Sequence, residues 1–593
     1  MRPTSLAARK AGAALAVLML STALTACQSD GSTDAAAPTA TNQVSTPAGN
    51  PTNGSTTSPT DGGSADGSTS DGSATTGSTA GSQGDAPQGL ESFYSQTIDW
   101  QDCPDSASFK CGTVTVPVDY EHPDGQTITI ALKKLPASDG DAEHGSLFNN
   151  PGGPGLSGIE PMKDPSSMPE SLRTGYDMIG FDPRGVGQST PITCWSEDEI
   201  KQYLANPNDP NNPANWIEDV TSKNMTPQEK FDRGASNAAR CAQHSQVPEL
   251  LDHVGARDVA RDLDVLRATN GNARLNYLGT SYGTYIGALY ADLFPGRVGR
   301  IVLNGAMDPS KRSTDESGAE TTAFKEGVLR QYVEHCRAQS ACPLTGSTDE
   351  AVAQLAAFVD GLDKNPLTTP DSDTTVNTMD ATVNTMDATV IIQELAVAQP
   401  DWEALTAMLT PAMINHDGTL MAKAMQSLSE LSPETADEAM DSTANRQIMF
   451  TAVICNDNPD TGATASEWDA QAAAERKAHP FFGGTSSGTE AYCRGWGHRG
   501  TTPPQETRAE GSAPILVIGI TGDIQTPYSW SQSLAGQLDN GHLFTVQGYG
   551  HGTFACARPA AIDFLVNGTI PAEGATCTAG TQPAAGDPKP AEG

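Results

Sequence analysis

From Thr113 the chain alternates polar and apolar positions (Thr113-Val114-Thr115-Val116-Pro117-Val118), and a second alternating run extends from Thr127 to Leu132. This period of two predicts a pair of β-strands at the start of the folded part. Short apolar runs follow at Leu147-Phe148, Met178 to Phe181, Leu275 to Leu278, Val298 to Leu303, Pro514 to Ile520 and Leu543 to Val546. Helical patterns lie between them, with Val259, Leu263 and Leu266 on one apolar face and Ile286, Leu289, Tyr290 and Leu293 on another. Strands alternating with helices predict an α/β domain on a mostly parallel sheet. The strand signal stops near Pro309 and resumes at Pro514. The interval is helical in pattern (Thr321 to Cys336, Ala351 to Leu362, Asp401 to Met413), which predicts a helical cap inserted into the sheet domain. Within it VNTMDAT occurs twice in tandem, Val376 to Thr382 and Val383 to Thr389, and reads as a local duplication in a surface loop.

The ends of the chain have a different character. Arg2, Arg9 and Lys10 precede an apolar run from Ala11 to Leu20, and Leu24-Thr25-Ala26-Cys27 follows. This is the pattern of a secretory signal, too short to span a bilayer, with small residues before a cysteine as in a bacterial lipobox. The expectation is a lipoprotein anchored through acyl chains on Cys27 to the outer face of the cell membrane, or else a secreted protein. Residues 28–88 contain no Lys, Arg or aromatic residue and read as a disordered tether; residues 578–593 read as a second such tail. The organisation expected is therefore signal 1–27, tether 28–88, sheet domain 89–310, cap 311–505, sheet domain again 506–577, and tail 578–593.

The protein has 593 residues with 35 Lys+Arg against 72 Asp+Glu, a net charge of −37, which argues against nucleic acid as a partner. The acid excess belongs to the folded part, since the leader is cationic and the tether carries only six aspartates. Eleven cysteines without a C-x-x-C argue for an oxidising compartment and against zinc-thiolate or dithiol redox chemistry. No metal and no cofactor is expected. Cys27 aside, ten cysteines remain, and pairing of neighbours is the simplest of many connectivities: Cys103–Cys111, Cys194–Cys241, Cys336–Cys342, Cys455–Cys493 and Cys556–Cys577.

Candidate chemistry centres on Gly279-Thr280-Ser281-Tyr282-Gly283, a G-x-S-x-G between a predicted strand and a predicted helix, the setting of a nucleophile elbow. A serine needs a base to take its proton, and the base needs an acid to hold its tautomer. In the α/β-hydrolase order the acid follows the serine and the histidine comes last. His335, His416, His479 and His498 fall in the cap and His542 opens a strand, leaving His551, in Gly-Tyr-Gly-His551-Gly after a strand. Asp523 directly follows the strand ending at Ile520 and is preferred over Asp539, on a helix-to-strand connection. Thr526, three residues on, is a candidate donor to the Asp523 carboxylate. The oxyanion donors expected are the N–H of Tyr282 and that of Gly153, in the loop Asn150-Pro151-Gly152-Gly153-Pro154-Gly155. In Phe181 to Ser189, Asp182 and Arg184 read as braces between loops.

Together these residues resemble the α/β-hydrolase family of exported tripeptidyl aminopeptidases and related actinobacterial serine proteases and esterases, relatives of prolyl aminopeptidases. The likeness is carried by the Asn150 to Gly155 loop, Phe181 to Ser189, Gly279 to Thr284 with Phe294 to Arg300, Cys455 with Asp457, Asp523 to Pro527, and His551-Gly552. It covers roughly Trp100 to Cys577; the VNTMDAT insert departs from it. The resemblance implies an α/β-hydrolase fold and an enzyme releasing short peptides from a free N-terminus, with the cap limiting how much substrate enters; a monomer is expected. Recognition of an ammonium group needs carboxylates, and Asp457 and Glu160 are the candidates. The same triad would serve an envelope carboxylesterase or lipase acting on small acyl substrates, which is the alternative.

Overall fold

The computed structural model describes residues 86–579 apart from 197, 200–224, 312–313, 363, 370–381, 384, 399, 431–435, 485–487, 501–502 and 553–554. The signal segment with Cys27, nearly all of the tether and tail, and the first VNTMDAT copy except Thr382 lie outside the described residues.

Chain order gives β1 (Gln101–Cys103), β2 (Ser106–Pro117), β3 (Thr127–Leu135), β4 (Ser146–Asn150), β5 (Asp177–Phe181), β6 (Leu275–Thr280) and β7 (Val298–Asn304). A two-residue pair, β8 (Leu367–Thr368) and β9 (Thr382–Val383), lies in the helical interval, and β10 (Ile515–Gly522), β11 (Gly541–Tyr549) and β12 (Thr576–Thr578) follow it. Ten of these strands form one sheet in the order β1-β2-β3-β5-β4-β6-β7-β10-β11-β12. The β1–β2, β2–β3 and β3–β5 pairings are antiparallel and the remainder parallel, the architecture of an α/β-hydrolase. Sequence patterning missed β1 and β12, short edge strands that carry no apolar alternation.

Both faces of the central strands are covered, so their residues are apolar at successive positions and split between two cores. Ile301, Leu303, Ile515 and Val517 face one core, with helices Ala256–Thr269 and Tyr282–Leu293 packed on it. Val302, Leu516, Ile518 and Leu147 face the other, under helix Arg558–Asn567 and the short helix Glu170–Arg173.

The helical interval between β7 and β10 is less unitary than its sequence implies. Helices from Thr314–Arg337 through Thr419–Glu430 build a core of their own, which also takes in Phe481, Phe482 and Ile524. Ile448, Met449, Ala452, Tyr492 and Trp496 instead join the core of the sheet domain. There helix Thr489–Trp496 crosses helix Pro227–His244, contributed by the β5–β6 connection. The crossing is close because Gly234 and Gly495 face it: a Cβ on either would come within 2.1 Å and 2.0 Å of the partner backbone. Only the first part of the interval is a separate cap. Sequence periodicity could not show this, since it reports that a helix has an apolar face and not which core receives it.

Disulfides join Cys103–Cys111, Cys194–Cys241, Cys336–Cys342, Cys455–Cys493 and Cys556–Cys577. The second ties the loop after β5 to helix Pro227–His244, and the last ties the chain just beyond His551 to β12.

Arg184, fully buried, holds the loop after β5. All five of its N–H donors are used: Nε and Nη2 on the two carboxylate oxygens of Asp262 at 2.8 and 2.7 Å, Nη1 on the carbonyls of Val118 and His253, and Nη2 also on that of Pro117. Tyr120 donates to the same carboxylate at 2.8 Å. A buried pair of this kind is far costlier to break than to replace. Arg184→Met is expected to lower unfolding free energy in urea by about 3–5 kcal/mol, and adding Asp262→Leu to recover part of it; a loss below about 1 kcal/mol would contradict this role.

Candidate active site

β6 delivers the chain to a turn at Ser281, whose backbone sits at φ 55°, ψ −126°, a conformation L-residues rarely adopt. Its amide donates to the carbonyl of Asn304 at 2.9 Å, and helix Tyr282–Leu293 starts at the next residue. The turn is possible because the flanking positions are glycines. A Cβ on Gly279 would stand 2.5 Å from the carbonyl oxygen of Gly283, and one on Gly283 would stand 2.6 Å from that of Asn150. Tyr282, as first residue of the helix, has an amide with no acceptor inside the helix.

The loop after β4 presses against this turn: a Cβ on Gly152 would lie 2.4 Å from the carbonyl oxygen of Thr280 and 2.9 Å from the Tyr282 amide nitrogen. Gly152 donates to the side chain of Asn150 at 2.9 Å, and Gly153 beside it, at φ 101°, borders the cavity that also reaches Ser281.

β10 and β11 end beside each other and carry Asp523 and His551, both buried. His551 Nδ1 lies 2.9 Å from each carboxylate oxygen of Asp523. The same carboxylate accepts the backbone N–H groups of Gln525 and Thr526 and the hydroxyl of Thr526, each at 2.9 Å. Thr526 Oγ1 also stands 3.3 Å from His551 Nδ1. The other ring nitrogen, Nε2, is buried and has no partner among the described residues. Ser281 and His551 line one cavity of about 530 Å³.

One connecting residue escaped the sequence reading. Asn304, at the end of β7, accepts the Ser281 N–H at its backbone carbonyl and donates from its side chain to the carbonyl of Gly552 at 3.0 Å. It thus spans the serine turn and the histidine loop. Its only trace in the sequence is a polar residue closing the run Ile301-Val302-Leu303.

The two carboxylates expected at a substrate ammonium are engaged elsewhere, and neither lines the cavity. Glu160 pairs with Arg446 at 3.1 Å. Asp457 accepts the backbone N–H of Ala256 at 2.8 Å, at the start of helix Ala256–Thr269, and the phenol of Tyr282. Asp457 therefore supports Tyr282 and the start of helix Ala256–Thr269. The resemblance singled it out correctly as part of the site's surroundings but could not say which way its carboxylate turns.

Burial pushes Asp457 up to about 7 and Asp258 adds to the rise, against the hydrogen bonds from Tyr282 and Ala256. With an unfolded value near about 3.9, the native state holds this proton more tightly, so its contribution to stability is full below about pH 4 and is lost as pH rises to about 7. Asp457→Asn should remove that slope: the stability of the variant relative to wild type should rise between pH 4.5 and 7.5 in urea melts. A difference independent of pH would refute the assignment.

The family profile described as "TAP-like protein" matches residues 479–577, the segment holding Asp523 and His551. Over 505 residues the chain is 31% identical to "Serine protease Hip1" of Mycobacterium tuberculosis, covering 81% of this chain and 91% of that protein. It is 29% identical over 497 residues to "Tripeptidyl aminopeptidase" of Streptomyces lividans (81% and 86% covered) and 30% identical over 486 residues to "Carboxylesterase B" of Mycobacterium tuberculosis (79% and 86%). Among solved structures, a proline iminopeptidase of Mycobacterium smegmatis aligns with 16% identity and a TM-score of 0.32, covering 77% of this chain and 98% of that one. By its similarity to Hip1 over nine-tenths of that protein, and by its sheet and serine turn, the chain belongs to the tripeptidyl aminopeptidase-like family of α/β-hydrolases and is a serine hydrolase.

Proposed function

We propose that Ser281, His551 and Asp523 are the catalytic triad of an exported hydrolase that releases short peptides from free N-termini through an acyl-enzyme. The observation that carries the triad is the state of His551: Nδ1 is taken up by Asp523, Nε2 has no partner among the described residues, and the residue lines the same cavity as Ser281. An imidazole so held is the tautomer that accepts a proton at Nε2.

Ser281 Oγ attacks the substrate carbonyl as its proton passes to His551 Nε2, and Asp523 stabilises the imidazolium. Thr526, through its amide and hydroxyl, keeps the Asp523 carboxylate turned toward Nδ1. The N–H of Tyr282 and that of Gly153 receive the oxyanion. His551 then protonates the leaving amine, and water repeats the sequence to free the acyl group.

Support for a peptide substrate comes from the relatives named as a serine protease and a tripeptidyl aminopeptidase, and from the cap. The cap's helix Thr314–Arg337 rests on the elements that flank the acid and base: Trp530 Nε1, in helix Tyr528–Gln537, donates to Glu320 at 2.6 Å, and the hydroxyl of Tyr549, at the end of β11, to Gln331 at 3.4 Å. In this reading a monomer, tethered to the outer face of the membrane through acylated Cys27, trims peptides outside the cell. Intact-mass analysis of the native protein, showing a diacyl or triacyl increment on a chain starting at Cys27, is the expected outcome for the anchor.

Wild type should be labelled by a fluorophosphonate and Ser281→Ala should not, with kcat lower by on the order of 10⁶. Tripeptide anilides with a free amine should be cleaved at least tenfold faster than their N-acetylated forms. Equal rates, or activity on acyl esters alone, would leave the triad standing and replace the aminopeptidase reading with the carboxylesterase one.

A further inference from the structure

Among the described residues, two buried side-chain nitrogens without a partner belong to residues that line the cavity at Ser281. One is His551 Nε2, which the triad uses. The other is Nε of Arg173, and the rest of that guanidinium makes no hydrogen bond or ion pair with a described residue. Its charge reaches Asp164, whose carboxyl is held below the usual range mainly by hydrogen bonds from Ser166, with Arg173 contributing least. An arginine stays protonated, and a buried donor left unpaired costs about 1–3 kcal/mol.

Arg173 ends the short helix Glu170–Arg173. Its carbonyl accepts the N–H of Ser138, and that of Gly175 accepts the N–H of His144, just before β4 begins. The helix end therefore lies by the start of β4, whereas Ser281 follows the far end of β6, which runs parallel to β4. Arg173 and Ser281 thus stand at opposite ends of the cavity. Between them Leu147 pairs with Asn276 and Asn150 with Gly279, a rise of about 10 Å at about 3.3 Å per residue.

The lining changes character along that length. Asn149 and Thr280, at the strand ends, and Gln525, beside Asp523, mark the Ser281 end, and their side chains have no partner among the described residues. Leu147 and Leu278 lie below them on the same face of the sheet, by the alternation of a strand, and Leu172, Met178 and Leu565 complete an apolar wall. Arg173 follows. Glu170, one turn earlier on its helix, also lines the cavity but is exposed and forms no ion pair with it, and Arg558, the second arginine of the lining, is already engaged. From Ser281 outward the order is amide and hydroxyl groups, apolar wall, guanidinium. Peptide backbone finds partners at the first, methylenes need none along the second, and a carboxylate suits the third.

We propose that this cavity receives the side chain of the residue whose carbonyl Ser281 attacks, and that Arg173 selects glutamate there. The proposal rests on the peptide reading given above. Ser281 Oγ bonds to the glutamyl carbonyl carbon as the peptide C–N bond breaks, and the serine proton leaves on the amine by way of His551. Water then frees the acid and returns a proton to Oγ. Four bonds separate the glutamate carboxyl carbon from its own carbonyl carbon, and four separate arginine Nε from its Cα, about 5 Å each at about 1.3 Å per bond. With a charge-assisted hydrogen bond of about 2.8 Å between them, the two side chains span the cavity.

The test is hydrolysis by the full-length protein of two p-nitroanilides with free amines, Ala-Ala-Glu and Ala-Ala-Gln, with rates normalised to the fraction labelled by a fluorophosphonate. The pair differs in charge and hardly in size. The anilide leaving group carries no carboxylate, so the ratio of rates reports the acyl side alone. Wild type is expected to favour glutamate in kcat/KM by at least about tenfold, the scale of a hydrogen bond to a charged group. Arg173→Met is expected to bring that ratio to about one or below. If that variant fails to label, Arg173→Gln takes its place with the same expected outcome. A wild-type ratio near one, or a preference that persists in a labelled variant, overturns the proposal and leaves the peptide reading standing, because both anilides are still cleaved. Labelled wild type that cleaves neither anilide overturns the peptide reading and the proposal with it.

Discussion

Three stretches of backbone crowd around Ser281 more closely than any side chain permits, and the rest of the site is arranged by that contact. Gly279 approaches Gly283 across the turn, Gly283 approaches Asn150, and Gly152 approaches Thr280. This packing holds Ser281 in a conformation that costs on the order of 1–3 kcal/mol, and it lays the Gly152-Gly153 loop beside the Tyr282 amide. A methyl group at Gly283 or Gly152 would push the serine turn and the β4 loop apart, and one at Gly279 would open the turn itself.

Around that contact the molecule is assembled from distant pieces. Asn304 couples the serine turn to the histidine loop from a third strand, and Asp457 supports Tyr282 from a helix 175 residues away. Arg184 fixes the loop after β5 by exhausting its donors on three separate segments. The cap touches the site through the loops bearing Asp523 and His551, since Ile524 belongs to the cap's own core.

The parallel sheet, the serine turn, and Asp523 and His551 at the ends of β10 and β11 were all legible in the chain, because each leaves a local mark: an apolar run, a glycine pair, a residue just beyond a strand. Asn304 left almost none, being a single polar residue at a strand end. Glu160 and Asp457 were legible as carboxylates near the site but misleading as to role. The Arg446 that neutralises Glu160 lies 286 residues on, and nothing local marks the pair.

The sequence by itself determined the succession of the central strands along the chain, the position of the nucleophile and the candidates for its base and acid, because backbone periodicity and glycine sterics act over a few residues. Tertiary structure alone decided what each buried polar group is bonded to and which core each helix of the interval joins. Those outcomes depend on surfaces brought together from hundreds of residues apart.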